Sequence, residues 1–216
     1  MKKVAVILSG CGVFDGAEIH ESVLSLLALE QNGASWHCFA PDVKQHHVIN
    51  HKAGEESVES RNVLEESARI ARGNIAPLAE LDPSAFDALL IPGGFGVAKN
   101  LCDFAVKGAE MTVDPEVKTV CQAFANQGKP AGYVCIAPVM IPAVYGEGAT
   151  ATLGTDPETA AAFSAMGGKH VDCSVEDIVY DEQRKLLSTP AYMLAGSISE
   201  ASVGINKLVS KLVGIA

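Results

Sequence analysis

Three short segments are apolar at nearly every position: Val4-Ala5-Val6-Ile7-Leu8, Ala88-Leu89-Leu90-Ile91 and Ala131-Gly132-Tyr133-Val134. A strand that shows one face to water alternates apolar and polar residues, whereas a solid apolar run is a strand buried on both faces. Helical patterns lie between these runs. Ile19, Val23, Leu26 and Leu27 recur at helical spacing and stop at Asn32-Gly33. Arg61–Arg72 reads as a helix closed by Gly73, and Val117, Val120, Cys121 and Phe124 mark another before Gln127-Gly128. Ile198, Ala201, Ile205, Leu208 and Leu212 mark a last one. Trp36–Ala40 reads as a further strand, Ile178–Tyr180 with Leu186–Ser188 as a hairpin, and residues 43–60 as a polar, irregular loop. Doubly buried strands alternating with helices predict a mostly parallel sheet with helices on both faces, an α/β fold. Residues 1–216 are expected to form it as one domain.

Composition removes several function classes. Apolar residues make up 48% of 216, enough for a core without disulfides or a structural metal. Net charge is 16 − 26 = −10, which lacks the basic footprint of a nucleic-acid binder and suits an anionic membrane surface poorly. The apolar run Ala137–Val144 is far short of a membrane span and contains two prolines. Val4–Leu8 is also shorter than the roughly 7–15 apolar residues of a signal peptide, so a first strand is expected there and a cytoplasmic location with it. In that compartment the six cysteines are expected to be thiols, and no Cys-x-x-Cys pair supports a zinc ribbon.

Ligands of parallel sheets sit at the carboxyl ends of the strands, which directs attention to Ser9–Glu18, Pro92–Gly96 and Cys135-Ile136. Cys135 stands where a strand runs directly into a further segment. A sharp turn there would project the thiol into the cleft, and free N–H groups beyond it would lower its pKa; a buried structural cysteine is the alternative. Gly93-Gly94-Phe95-Gly96 either aims backbone N–H groups at an oxyanion or makes a tight turn. Glu18 is either a proton donor or base facing the cleft, or an acid favoured by a helix start. Cys11 lies near the same cleft, and Arg61-Asn62 either lines a pocket or begins a helix. Gly10, Gly12 and Gly16 are spaced G-x-G-x-x-x-G, one residue too long for a dinucleotide fingerprint. His46, His47, His51 and Glu55 lack a helical context that would fix metal geometry and read as solvated loop residues. Cys38, Cys102, Cys121 and Cys173 read as structural.

Ile91-Pro92-Gly93-Gly94, Ala98-Lys99-Asn100-Leu101 and Tyr133-Val134-Cys135-Ile136-Ala137-Pro138 together resemble the ThiJ/PfpI superfamily, whose fold is flavodoxin-like and class I glutamine amidotransferase-like. Leu8–Val13, Glu18-Ile19-His20-Glu21 and Thr189–Met193 are similar to its ElbB branch, described as isoprenoid-biosynthesis proteins with an amidotransferase-like domain and as glyoxalases. The resemblance covers essentially the whole chain. It implies that Cys135 is the nucleophile, that Glu18 hydrogen-bonds its thiol, and that the Gly94 and Ile136 N–H groups receive an oxyanion. Gly93, Cys11, Asn62 and Asp156 are possible pocket residues. The departures are informative. Ile136 stands where protease-like relatives carry histidine, no His-x-Glu follows, and Leu153-Gly154-Thr155-Asp156 replaces a histidine of another relative type. Without an imidazole to return a proton to a leaving amine, amide hydrolysis is poorly supported. The expected activity is therefore a glutathione-independent glyoxalase acting on glyoxal or a similar small 2-oxoaldehyde, without metal or organic cofactor, in a homodimer. A redox-sensing regulator of isoprenoid metabolism switched by Cys135 oxidation, and then an amide hydrolase, are the alternatives.

Overall fold

The computed structural model describes Met1–Ala216. In chain order its elements are β1 (Lys3–Ile7), α1 (Ile19–Gln31), β2 (Ser35–Ala40), β3 (Val48–Asn50), β4 (Glu55–Ser57), α2 (Val63–Ile70), β5 (Ile75–Pro77) and β6 (Ala88–Ile91). They continue with α3 (Phe104–Lys107), α4 (Pro115–Asn126), β7 (Ala131–Val134), α5 (Ile141–Tyr145), β8 (Thr150–Ala151), α6 (Pro157–Ala165), β9 (Lys169–His170), β10 (Val179–Asp181), β11 (Leu186–Thr189) and α7 (Ile198–Ile215). Seven strands form one sheet in the order β10-β11-β7-β6-β1-β2-β5, parallel except for the edge strand β10. The α/β fold with a mostly parallel central sheet is as the apolar runs predict.

Alternating residues of each strand feed two cores. Ala5 and Ile7 of β1, with Leu89, Ile91 and Tyr133, pack beneath Val117, Cys121 and Phe124 of α4. Val4, Val6 and Leu8, with Leu90 and Val134, pack beneath Leu29 of α1 and Ile205, Leu208 and Leu212 of α7. Every residue of β6 and β7 is buried, which explains why neither run alternates. Gly132 brings α7 close: a Cβ there would stand 2.7 Å from Leu208 Cδ2 and 2.9 Å from Leu90 Cδ1.

The α1 helix turns a different face inward than its largest apolar residues predict. Ile19, Val23 and Leu27 are exposed, while Glu21, Ser22, Ser25, Leu26, Ala28 and Leu29 are buried. Small residues let α1 lie close to the sheet and α7, and Glu21 is buried with them. The stretch 43–60 is not irregular throughout; Val48–Asn50 and Glu55–Ser57 pair as an antiparallel hairpin. The chain winds outward from β1 in both directions, to β2 on one side and to β6 on the other. That reversal opens a crevice at the carboxyl ends of β1 and β6, beside β7.

Candidate active site

Two of the turns that form the crevice, the one after β1 and the one after β6, hold one another. Glu18 N–H donates to Gly93 O at 2.9 Å, Phe95 N–H to Val13 O at 2.8 Å and Gly96 N–H to Gly16 O at 2.9 Å. These contacts require glycine: a Cβ on Gly94, whose φ is +100°, would collide with the Glu18 nitrogen and Gly16 oxygen. Asn100 bridges the same turns, donating to Ser9 O at 2.9 Å and Asp15 O at 3.0 Å. It lies in a single π-helical turn, Val97–Leu101.

Cys135 directly follows β7 and has φ +62°, a left-handed conformation uncommon for a residue with a side chain. Its N–H donates to Thr189 O at 2.9 Å, which holds the elbow against β11. The N–H groups of Gly94 and Ile136 lie near the sulfur and favour its anion, and the carboxyl of Glu21 lies beside it. Glu21 is fully buried. Its Oε2 accepts from Gly93 N–H at 2.9 Å and its Oε1 from Tyr192 N–H at 3.1 Å. A Cβ on Gly93 would collide with both Cys135 Cβ and Glu21 Oε2, so glycine is what lets thiol and carboxyl meet.

Burial dominates the titration of this pair. It pushes Glu21 up to about 7, against its backbone hydrogen bonds. It also pushes the Cys135 thiol well up, with the Glu21 charge acting in the same direction and the Gly94 and Ile136 N–H groups opposing. The depressed thiol expected of an elbow is therefore not the resting state. The resting sulfur keeps its proton beside a carboxyl poised near neutrality, a combination suited to passing that proton to Glu21 when the sulfur attacks.

Gly93 lies against Cys135, and the Gly94 and Ile136 N–H groups, to which the resemblance assigns an oxyanion, lie near its sulfur. Glu18 is placed differently: it caps α1, its Oε2 accepting from Glu21 N–H at 2.7 Å, and the carboxyl beside the sulfur comes from three residues further on. Cys11 faces Glu66, Arg69, Asp15 and Arg61 instead of Cys135, and burial raises its pKa. Asn62 caps α2, accepting from Glu65 N–H and donating to Asp42. Asp156 caps α6, accepting from the Thr159 N–H and hydroxyl. None of these three has a bond to the sulfur. His170, the only histidine after Cys135, accepts from Leu153 N–H at 3.1 Å through Nε2 and lies 3.6 Å from Asp172 through Nδ1.

Besides Glu21, the residue-level reading misses His20 and Tyr192. His20 Nδ1 lies 2.9 Å from the Tyr192 hydroxyl and 4.0 Å from Glu18 Oε1. One signal for Glu21 was present. An acid three residues beyond a capping acid shares a face with the small residues Ser25 and Ala28, and that face was the one available for close packing.

No protein-family model matches the sequence. A human protein named glutamine amidotransferase-like class 1 domain-containing protein 3, mitochondrial, is 46% identical over 220 residues, covering 97% of this chain and 82% of its own length. The crystal structure of an isoprenoid biosynthesis protein with an amidotransferase-like domain from Ehrlichia chaffeensis superposes with a TM-score of 0.93 at 38% identity, covering 100% of this chain and 99% of that one. Glyoxalase III from Candida albicans shares the fold, with a TM-score of 0.64 at 13% identity over 99% of this chain and 97% of that one. With its sheet order, its cysteine elbow and these relatives, the chain belongs to the class I glutamine amidotransferase-like, or DJ-1/ThiJ/PfpI, superfamily, beside the ElbB-like isoprenoid biosynthesis proteins.

Proposed function

We propose that the protein is a cofactor-independent glyoxalase that converts glyoxal, or a similar small 2-oxoaldehyde, to the 2-hydroxy acid. One observation carries the reading: Cys135 lies at an elbow against the fully buried carboxyl of Glu21, whose pKa burial pushes up to about 7, with the Gly94 and Ile136 N–H groups favouring the thiolate and no imidazole beside it. That set holds no imidazole, and its single carboxyl can take up and return the one proton that an internal transfer between neighbouring carbons needs.

In this mechanism the Cys135 proton passes to Glu21 as the sulfur bonds one aldehyde carbon. The carbonyl π electrons move to oxygen, which the Gly94 and Ile136 N–H groups stabilise. Glu21 protonates that oxygen, giving a hemithioacetal, and becomes a carboxylate again. It then removes the proton from the sulfur-bearing carbon, forming an enediol, and returns it to the neighbouring carbon. The hydroxyl proton on the first carbon moves to the second oxygen, leaving a glycolyl thioester. Water cleaves the thioester to glycolate and free thiol. The aldehyde carbon is oxidised and its neighbour reduced, so no external oxidant or reductant enters.

The test is glycolate production from glyoxal, followed by carbon NMR. Wild type is expected to turn over with saturation and Cys135→Ser to show none. A wild-type rate no greater than that of Cys135→Ser overturns the reading. Ammonia release from glutamine at about 1 s⁻¹ or faster, lost in Cys135→Ala, would establish the amide hydrolase instead.

A further inference from the structure

Lys99 has no part in the chemistry above, yet it is placed with unusual care. Its Nζ donates to Phe14 O at 2.6 Å and bonds His47 Nε2 at 2.8 Å. It lies 5.1 Å from the centre of the Phe95 ring. An ammonium has three N–H donors, and neither of the two bonded partners is a carboxylate, so one donor is left over. The acidic groups nearby are Asp15 and Glu56. Asp15 is buried and engaged elsewhere, with Oδ2 accepting from Ile49 N–H at 2.7 Å and Oδ1 lying 3.8 Å from His51 Nε2. His47 adds no second charge, because burial and the Lys99 ammonium both hold its pKa down.

Phe14, Ile49, Gly54, Phe95 and Lys99 together line a cavity of about 250 Å³. Both rings are more than a third exposed, Phe14 at 39% and Phe95 at 49%. Exposed aromatic walls around a half-buried cation with a spare donor are the surroundings of a bound anion that carries apolar surface. The volume lies just below the ~300–1,000 Å³ of drug-sized sites, so the ligand is small.

We propose that this cavity binds a small organic carboxylate with an apolar body, its carboxylate on Lys99 and its body between Phe14 and Phe95. The β3–β4 hairpin forms one wall of the site through Ile49 and Gly54, and His47, directly before β3, holds Lys99. None of the groups placed beside the sulfur lines this cavity, and the proposal does not depend on the glyoxalase reading.

The experiment is amide NMR titration of the full chain with three probes: phenylacetate, its neutral analogue phenylacetamide, and inorganic phosphate. Phenylacetate is expected to shift the amides of Phe14, Ile49, Gly54 and Phe95 saturably. Phenylacetamide and phosphate should each bind at least tenfold more weakly. Lys99→Met should weaken phenylacetate at least tenfold. Phe95→Ala, which removes a half-exposed ring without disturbing the Lys99 bonds, should weaken it several-fold and keeps the test decisive if the first variant fails to fold. Cys135→Ser should bind as wild type does. Equal affinity for phenylacetamide, or phenylacetate affinity within twofold of wild type in both cavity variants, overturns the proposal. Loss of binding in Cys135→Ser does so too, since the ligand would then belong to the thiol.

Discussion

At the residue scale, Glu18 and Glu21 are separated by less than one helical turn and have different surroundings. Glu18 accepts a backbone N–H at the start of α1, while Glu21 lies fully buried against the sulfur. Glu21→Gln keeps a polar side chain of similar size but cannot carry a proton. Under the proposed mechanism it should lower glyoxal turnover by on the order of 10²-fold or more. Glu18→Ala should leave turnover near wild type and reduce stability by about 1 kcal/mol, the usual loss of a helix cap. Steady-state kinetics and urea titration of the two variants check both outcomes. A larger kinetic loss in Glu18→Ala than in Glu21→Gln would return the proton-transfer role to Glu18. Turnover of the wild type should rise with pH through about 7 as the Glu21 carboxyl ionises.

At the element scale, two glycines determine how closely neighbouring pieces approach. Gly93 joins β6 to the crevice and leaves room for Cys135 and Glu21 to meet. Gly93→Ala should therefore preserve the far-ultraviolet circular dichroism while abolishing turnover, because the new Cβ occupies the space of the thiol–carboxyl pair. Gly132 sits mid-strand under Leu208 of α7. Gly132→Val would overpack that contact and should cost about 1–3 kcal/mol, read as a lower denaturation midpoint. Activity is expected to suffer less than stability there, since β7 continues to deliver Cys135 from its end.

At the scale of the whole molecule, burying Glu21 links folding to pH. Its folded pKa of about 7 lies above the 4.5 of an exposed glutamate. The unfolded chain therefore releases this proton first as pH rises. The associated stability is fully present below about 4.5 and is lost as pH climbs through about 7. At 1.36 kcal/mol per pKa unit the loss is roughly 3 kcal/mol. Glu21→Gln removes it, so the variant should gain stability relative to wild type between acid and neutral pH. Denaturation midpoints at both ends of that window measure the difference, and a constant gap between the two proteins would contradict the linkage. No helix is long and apolar enough to cross a membrane.

Much of this was legible in the sequence. Short apolar runs bounded by turn residues read as strands buried on both faces, and Val4–Leu8, Ala88–Ile91 and Ala131–Val134 are the centre of the sheet, whereas the proline-bearing run Ala137–Val144 is helical. A cysteine immediately after such a run had to emerge at the sheet's carboxyl edge, beside Gly93 and Gly94. What one sequence could not settle was which acid meets the thiol. Ile19, Val23 and Leu27 point to a buried apolar stripe, yet close packing of α1 favoured the smaller face and carried Glu21 inward with it. That choice depends on how much space α7 and the sheet leave, a property of three elements together. The same holds for Lys99, Phe14 and Phe95, whose cavity exists only because a loop, a π-helical turn and the hairpin of residues 48–57 converge. Local patterns encode which elements form and which ends face the crevice; distances between side chains arise only when distant elements pack.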